Sequence, residues 1–224
     1  NIYENIYSDI FKLNNVNFIS FKSNFEKIDN NYTYLTPYNY HFSRFANHQL
    51  AKLLINHIDY KFSEKRERFR CDKIQGQFKK NSSELWHINK QAPYFVEFDE
   101  YGFRATEKTT YDKKKPTILF VGDSFTFGPY MTSYDTYPEI FNRMTNFNYN
   151  VINAGVSGFS ITAEKNIILE NIDCINPDLI ILQVLDNDIK GLMAEDYNRY
   201  NYNKETIAPS KIEQEFYEFI NQLD

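Results

Sequence analysis

The residues of this chain that could do chemistry sit at three places in its second half. Gly122-Asp123-Ser124 ends an apolar run that begins at Thr117, and Gly128 follows closely. Asn153-Ala154-Gly155-Val156-Ser157-Gly158 ends a second run, and Asp186-Asn187-Asp188 follows a third. A serine hydroxyl can attack a carbonyl carbon, while backbone N–H groups and a side-chain amide can hold the oxyanion that develops. These are parts for acyl transfer, with Ser124 as the nucleophile candidate. Each part also has a plainer reading. A serine after a strand can be only a helix cap, Gly158 can serve only a tight turn, and Asn187 can serve only a loop bond. Their recurrence at three successive strand ends favours the chemical reading. The Gly-x-Ser-x-Gly nucleophile elbow is absent, because Thr126 and Phe159 stand where its second glycine would follow Ser124 and Ser157.

The elements that must position these residues follow a regular pattern. A strand is expected over 117–122, then a helix over 136–147 with Pro138 in its first turn and Ile140, Phe141 and Met144 on its apolar side. A strand over 149–153 comes next. A helix over 161–175 follows, capped by Ser160, with Ile161, Ile168, Ile172 and Ile175 at helical spacing and Pro177 closing it. The third strand, Leu179-Ile180-Ile181-Leu182-Gln183-Val184, is apolar nearly throughout, as in strands covered on both faces. Strand and helix alternating in this way predict right-handed βαβ units and a parallel sheet. In such sheets sites form beyond the carboxyl ends of the strands, so the three candidate stretches should share one edge. If Ser124 opens a helix, its amide and the helix N-terminus add positive potential there.

As a set, Gly122-Asp123-Ser124-Phe125, Asn153 to Gly158, and Asn187-Asp188 resemble the first three blocks of the SGNH hydrolase family, also called GDSL esterases and lipases. The order matches, and Phe125 stands where many members have Leu. Tyr101-Gly102-Phe103-Arg104 is similar to a turn that precedes this domain in a larger, often envelope-associated subgroup. The resemblance covers about 100–188. It implies a flavodoxin-like three-layer α/β/α fold with a parallel sheet, and a Ser124 nucleophile. It also implies an oxyanion hole formed by the Ser124 amide, the Gly158 amide and the Asn187 side chain. Asp123 would shape the loop and not carry protons. The implied substrates are small esters, O-acetylated carbohydrates or lipids, by hydrolysis or by acyl (acetyl) transfer, with no metal or organic cofactor.

One departure limits this. The family's base is a histidine in an Asp-x-x-His block near the C-terminus, yet His41, His48, His57 and His87 all precede Ser124. Only 37 residues follow Asn187, and they read as a Tyr- and Asn-rich loop over 191–209 and a helix capped at Ser210-Lys211-Ile212-Glu213. Each further βαβ step takes about 30 residues, so no room is left for the block. The expectation is a domain incomplete at its C-terminus, with little turnover from this chain and an unpaired sheet edge after the third strand. The alternatives are an inactive SGNH-like binding or structural protein, or a base recruited from His87 or another upstream histidine. A metal-assisted hydrolase using Asp123, Asp186 and Asp188 is a thinner variant.

The first part of the chain is less regular. Residues 1–84 read as an irregular α+β region of unknown role, with 85–224 as the hydrolase-like domain and 116–190 as its core. In 1–40, Ile6, Ile10, Leu13, Phe18, Phe21 and Phe25 suggest short amphipathic pieces, broken at Pro37. Ser43 should cap a helix over 44–58 with Phe45, Leu50, Leu53, Leu54 and Ile58 on one side. His41, His48 and His57 are spaced too widely to share a helical turn and read as ordinary histidines, not metal ligands. Residues 61–80 hold eight Lys or Arg against three Asp or Glu and read as a solvated, mixed-charge helix. A strand is expected at Tyr94-Phe95-Val96-Glu97-Phe98, a turn at 101–104, and a linker ending in Lys113-Lys114-Lys115-Pro116. Cys71 and Cys174 read as free thiols in preference to a disulfide. The hydrophobic fraction of 42% is that of a folded protein, and the net charge of −5 argues against general affinity for nucleic acid or acidic membranes. The sequence holds no apolar run of about 20 residues. Compartment and membrane contact are not legible, since the first residue is Asn1 and not Met.

Overall fold

The computed structural model describes residues 8, 11–13, 16–21, 25, 28, 30–36, 39–58, 62, 66–87, 92–106 and 109–185. A short helix α1 (Asn30–Thr33) leads into a two-stranded ribbon, β1 (Tyr34–Thr36) and β2 (Asn39–Phe42), and then into helix α2 (Arg44–His57). Three strands follow, β3 (Ser82–Trp86), β4 (Tyr94–Phe98) and β5 (Arg104–Ala105). The last part alternates: β6 (Thr117–Val121), α3 (Ser124–Phe127), α4 (Tyr137–Met144), β7 (Asn150–Asn153), α5 (Ile161–Ile175) and β8 (Leu179–Leu182).

The strands β3 to β8 form one sheet in the order β3-β4-β5-β7-β6-β8. Only β7-β6-β8 is parallel. The β3-β4, β4-β5 and β5-β7 pairs are antiparallel, so the sheet is mixed and not purely parallel as the βαβ pattern predicted. The reason is the connection between β4 and β5. Asp99 accepts from the amides of Tyr101 and Phe103 through Oδ1, at 2.8 and 2.9 Å, and closes a tight turn there. A tight turn can join strands only in the antiparallel sense.

Alternation along β6 sorts its side chains onto two covered faces. Leu119 and Val121 pack with Ile152, Ile161, Ile167 and Ile168 on the α5 side. Ile118 and Phe120 pack with Leu50, Leu54, Ile140 and Phe141 on the side of α2 and α4. All five residues of β6 are buried, as expected for a central strand between helical layers. The N-terminal α2 therefore shares a core with β6, the strand that leads to Ser124. Its cap is the expected one: Ser43 Oγ accepts from Ala46 N at 3.1 Å. Two expected core residues are not in the core, for Phe45 is 43% and Met144 38% exposed.

The charged stretch 61–80 differs most from expectation. Among its described residues there is no helix. Arg68 is fully buried and forms a two-pronged pair with Asp178 at 2.5 and 2.7 Å. Asp178 Oδ2 also accepts from Thr117 N at 2.8 Å, fixing the start of β6. Mixed charge along the sequence could not distinguish a solvated arginine from one whose partner lies 110 residues away. The cysteines likewise differ from the expected free thiols. Cys71 and Cys174 are joined as a disulfide, with Cα atoms 5.0 Å apart, tying this stretch to the end of α5. Backbone bonds from Phe69 N to Ile175 O and Arg70 N to Cys174 O hold the two segments side by side, which is what makes the pairing reachable. The segment before β6 is also anchored: Asn150 Nδ2 donates to Asp112 O and Lys115 O at 2.7 and 3.1 Å. The helix expected at Ser210 and the loop at 191–209 lie outside the described residues. No described helix is long and apolar enough to cross a membrane.

Candidate active site

Ser124 opens α3 directly after β6. The chain turns there because Asp123 caps it: its Oδ1 accepts from Phe125 N at 2.9 Å, and its carbonyl accepts from Phe127 N at 2.9 Å. Gly128 then ends the turn in the left-handed region at φ 75°. Asp123 is 1% exposed and acts as a cap, the loop-shaping role expected of it. Because α3 is a single turn of four residues, it adds little macrodipole at Ser124.

The turn stands on a buried polar floor. Thr126 Oγ1 donates to Gln183 Oε1 at 3.0 Å, at the end of β8. A hydroxyl has one proton, so the Tyr137 hydroxyl must donate to Thr126 Oγ1 across their 2.9 Å contact. Burial pushes the Tyr137 phenol well up from its ordinary value, which keeps it protonated for that bond. From β7, Asn153 Nδ2 donates to Thr126 O at 3.0 Å, and Asn153 Oδ1 accepts from Gly155 N at 3.1 Å. A Cβ on Gly155 would stand 2.4 Å from Phe127 N, so only glycine lets β7 approach α3 this closely. The ends of β6, β7 and β8 thus converge beneath Ser124. Arg104 on β5 fixes the loop after α3, donating to Gly128 O and Met131 O at 2.8 and 2.5 Å with its guanidinium over Phe127. Burial lowers the Arg104 pKa to about 10, which leaves it charged at neutral pH.

Above Ser124 lies a histidine. His41 Nε2 is 2.9 Å from Ser124 Oγ, and His41 Nδ1 is 2.8 Å from Asn39 Oδ1. His41 sits on β2, whose alternation turns Tyr40 outward, 70% exposed, and Asn39 and His41 inward. The imidazole stacks on Phe125 at 5.4 Å and leans on Tyr130 at 5.4 Å. Phe42 meets Phe125 edge-on at 4.7 Å and stacks on Tyr34 at 6.4 Å, which docks the ribbon onto α3. Burial lowers the His41 pKa from its ordinary value, and the nearby Asp123 charge offsets part of that. Burial thus favours the neutral form of the ring, which has a lone pair available.

From the sequence the base is expected downstream of the chain, with His87 or another upstream histidine as the alternative, and nothing singles out His41 among the upstream histidines. The structure brings His41 to Ser124 and leaves His87 exposed in its own segment. The signal that could have pointed to it is the alternating Asn39-Tyr40-His41-Phe42 between Pro37 and the Ser43 cap. Gly158 lies in the turn leaving β7, exposed and with φ 84°. Among the described residues no hydrogen bond links it to Ser124. Asn187, Asp186 and Asp188 lie outside the described residues. Among the described residues no group of three His, Cys, Asp or Glu side chains is placed to hold a metal ion.

In comparisons with family models, with curated proteins and with solved structures, nothing matches this chain. The fold and site define an α/β protein with a buried strand end presenting a serine to a histidine.

Proposed function

We propose that this chain is a serine ester hydrolase or acyl (acetyl) transferase of the SGNH type, with Ser124 as nucleophile and His41 as base. The observation that carries the reading is the 2.9 Å contact between Ser124 Oγ and His41 Nε2, within reach for direct proton transfer. The strand order supports it. Taking β6, β7 and β8 as first, second and third, they lie in the order 2-1-3 with which flavodoxin-like doubly wound sheets begin.

In this reading Ser124 Oγ bonds to the acyl carbon of an ester as its proton passes to His41 Nε2. The tetrahedral intermediate collapses, the ester C–O bond breaks, and the departing alkoxide takes the proton back from Nε2. Water or an acceptor alcohol then attacks the acyl carbon as its proton passes to His41 Nε2, the bond from that carbon to Ser124 Oγ breaks, and Oγ takes the proton back from Nε2. The Ser124 amide, the Gly158 amide and the Asn187 side chain are the proposed oxyanion donors. The substrate class is a small ester, an O-acetylated carbohydrate or a lipid, and no cofactor takes part.

The test is p-nitrophenyl acetate turnover by the chain and by Ser124→Ala, with a fluorophosphonate probe for covalent capture. Ser124→Ala should fall to the uncatalysed rate, and the probe mass should map to Ser124. Equal rates for the two proteins, or no capture, would overturn the proposal in favour of an SGNH-like binding protein. This expectation reverses the little turnover that the sequence alone implies, because the proposed base, His41, belongs to this chain.

A further inference from the structure

We infer that Asn39 is the positioning residue of this site, holding His41 in the one tautomer that can accept a proton from Ser124. The inference rests on the Ser124–His41 reading above and deepens it. A backbone N–H can only donate, and His41 N points at the Asn39 side chain at 3.1 Å. The Asn39 atom there must accept, so it is the amide oxygen and not the nitrogen. The same oxygen lies 2.8 Å from His41 Nδ1. An oxygen without a proton can only receive one, so Nδ1 carries the hydrogen. In a neutral imidazole that leaves Nε2 bare, and Nε2 faces Ser124 Oγ at 2.9 Å. Two hydrogen bonds to one oxygen therefore determine the direction of the third.

The spacing makes this possible. Asn39 and His41 are two residues apart on β2, so their side chains leave the same face of the strand. Tyr40 between them points away and is 70% exposed. Asn39 thus takes the place that an acid takes in a Ser-His-Asp arrangement, with one difference. The amide orients the ring without adding charge, so the imidazolium formed during catalysis has no carboxylate bonded to it. Among the described residues, the charged or titratable groups around the ring are Asp123 from the turn after β6 and Tyr130 from the loop after α3, with Phe125 covering one face.

The experiment uses the full chain, labelled with 15N in its histidine rings, as wild type, Asn39→Ala and Asn39→Asp. NMR reads the tautomer and titration of His41, and p-nitrophenyl acetate hydrolysis is followed against pH on the same samples. Wild type should show a protonated Nδ1 and a bare Nε2. Asn39→Ala should mix the tautomers and lower kcat about 10–100-fold with little change in KM, the cost of a misoriented group. Asn39→Asp keeps the shape and the ring bond, so activity should return. Its carboxylate should move the His41 titration, and the acid limb of the rate profile, up by about 1 pH unit or more. An Asn39→Ala protein with the wild-type tautomer and rate would overturn the inference. So would an Asn39→Asp protein whose His41 titration does not move. The tautomer is read without turnover, so a chain with no Ser124-dependent activity would defeat the proposed function while the Asn39 assignment is still judged by NMR.

Discussion

The two halves of the site are held in different ways. Ser124 stands on the ends of β6, β7 and β8, where Thr126 and Asp123 are buried and the polar contacts of Thr126 lie inside the core. His41 stands on a two-stranded ribbon that forms a sheet of its own, half-buried and docked by aromatic rings. A two-stranded ribbon alone is marginal in water, so the His41 side depends on what it packs against. The contrast predicts that the Ser124 side fails only with the whole fold, whereas the His41 side can fail by itself. Damage to the floor should lower stability and spare the rate at low temperature. Damage to the ribbon should lower the rate and barely change stability.

The largest effect should come from the base. His41→Gln keeps a polar group of similar reach and removes the proton acceptor, so the rate should fall ~10²–10⁴-fold, roughly 3–5 kcal/mol. Thermal unfolding should shift little, because the ribbon's aromatic contacts through Phe42 and Tyr34 do not use His41. In the wild type, kcat/KM should rise with pH and level off. Burial disfavours the imidazolium, so the midpoint should lie below the ordinary imidazole value of about 6.5. A midpoint above that value, or a rate untouched by His41→Gln, would mean that another group takes the proton.

A middle effect should come from the floor's far anchor. The Cys71–Cys174 disulfide closes a sequence separation of 103 residues, for which the chain-entropy account gives about 4.7 kcal/mol. Replacing both cysteines by serine should lower the denaturant midpoint by that order, with the slope unchanged. The Ser124-dependent rate at 25 °C should persist, since neither sulfur touches the site. If the rate fell in step with stability, the two halves would not be separable as argued. A bond of this kind is also more at home in an oxidising compartment than in a reducing cytosol.

How much of this was legible in the sequence follows from where each signal is stored. The alternation of β6, α4, β7, α5 and β8 is local, and the helix from Ile161 to Ile175 lies where its isoleucines place it. The serine's place was equally local, since Gly122-Asp123-Ser124 carries both the strand end and its cap. Arg68 with Asp178, Cys71 with Cys174 and His41 with Ser124 lie 83 to 110 residues apart, and no periodicity reports such pairs. His41 was also masked by its neighbours. A strand of four residues offers too few alternations to stand out.

The smallest effect should come from the seam between the halves. Ser43 follows β2 directly and caps α2: its hydroxyl accepts from Ala46 N at 3.1 Å and donates to the Tyr32 carbonyl. Its backbone N–H donates to Thr33 O at 2.8 Å and would survive a side-chain change. Ser43→Ala thus removes a helix cap and one tie to the segment before β1, at a cost of about 1 kcal/mol. For a domain of this size that is roughly 2–4 °C in Tm. The rate at 25 °C should fall less than tenfold, because the rings of Tyr34, Phe42 and Phe125 still dock the ribbon. A much larger loss of rate with the same small shift in Tm would sharpen the contrast. It would show that the ribbon is held to the core through α2 and its cap, with aromatic packing secondary. A shift in Tm without any change in rate would show the reverse, that the rings alone keep His41 over Ser124.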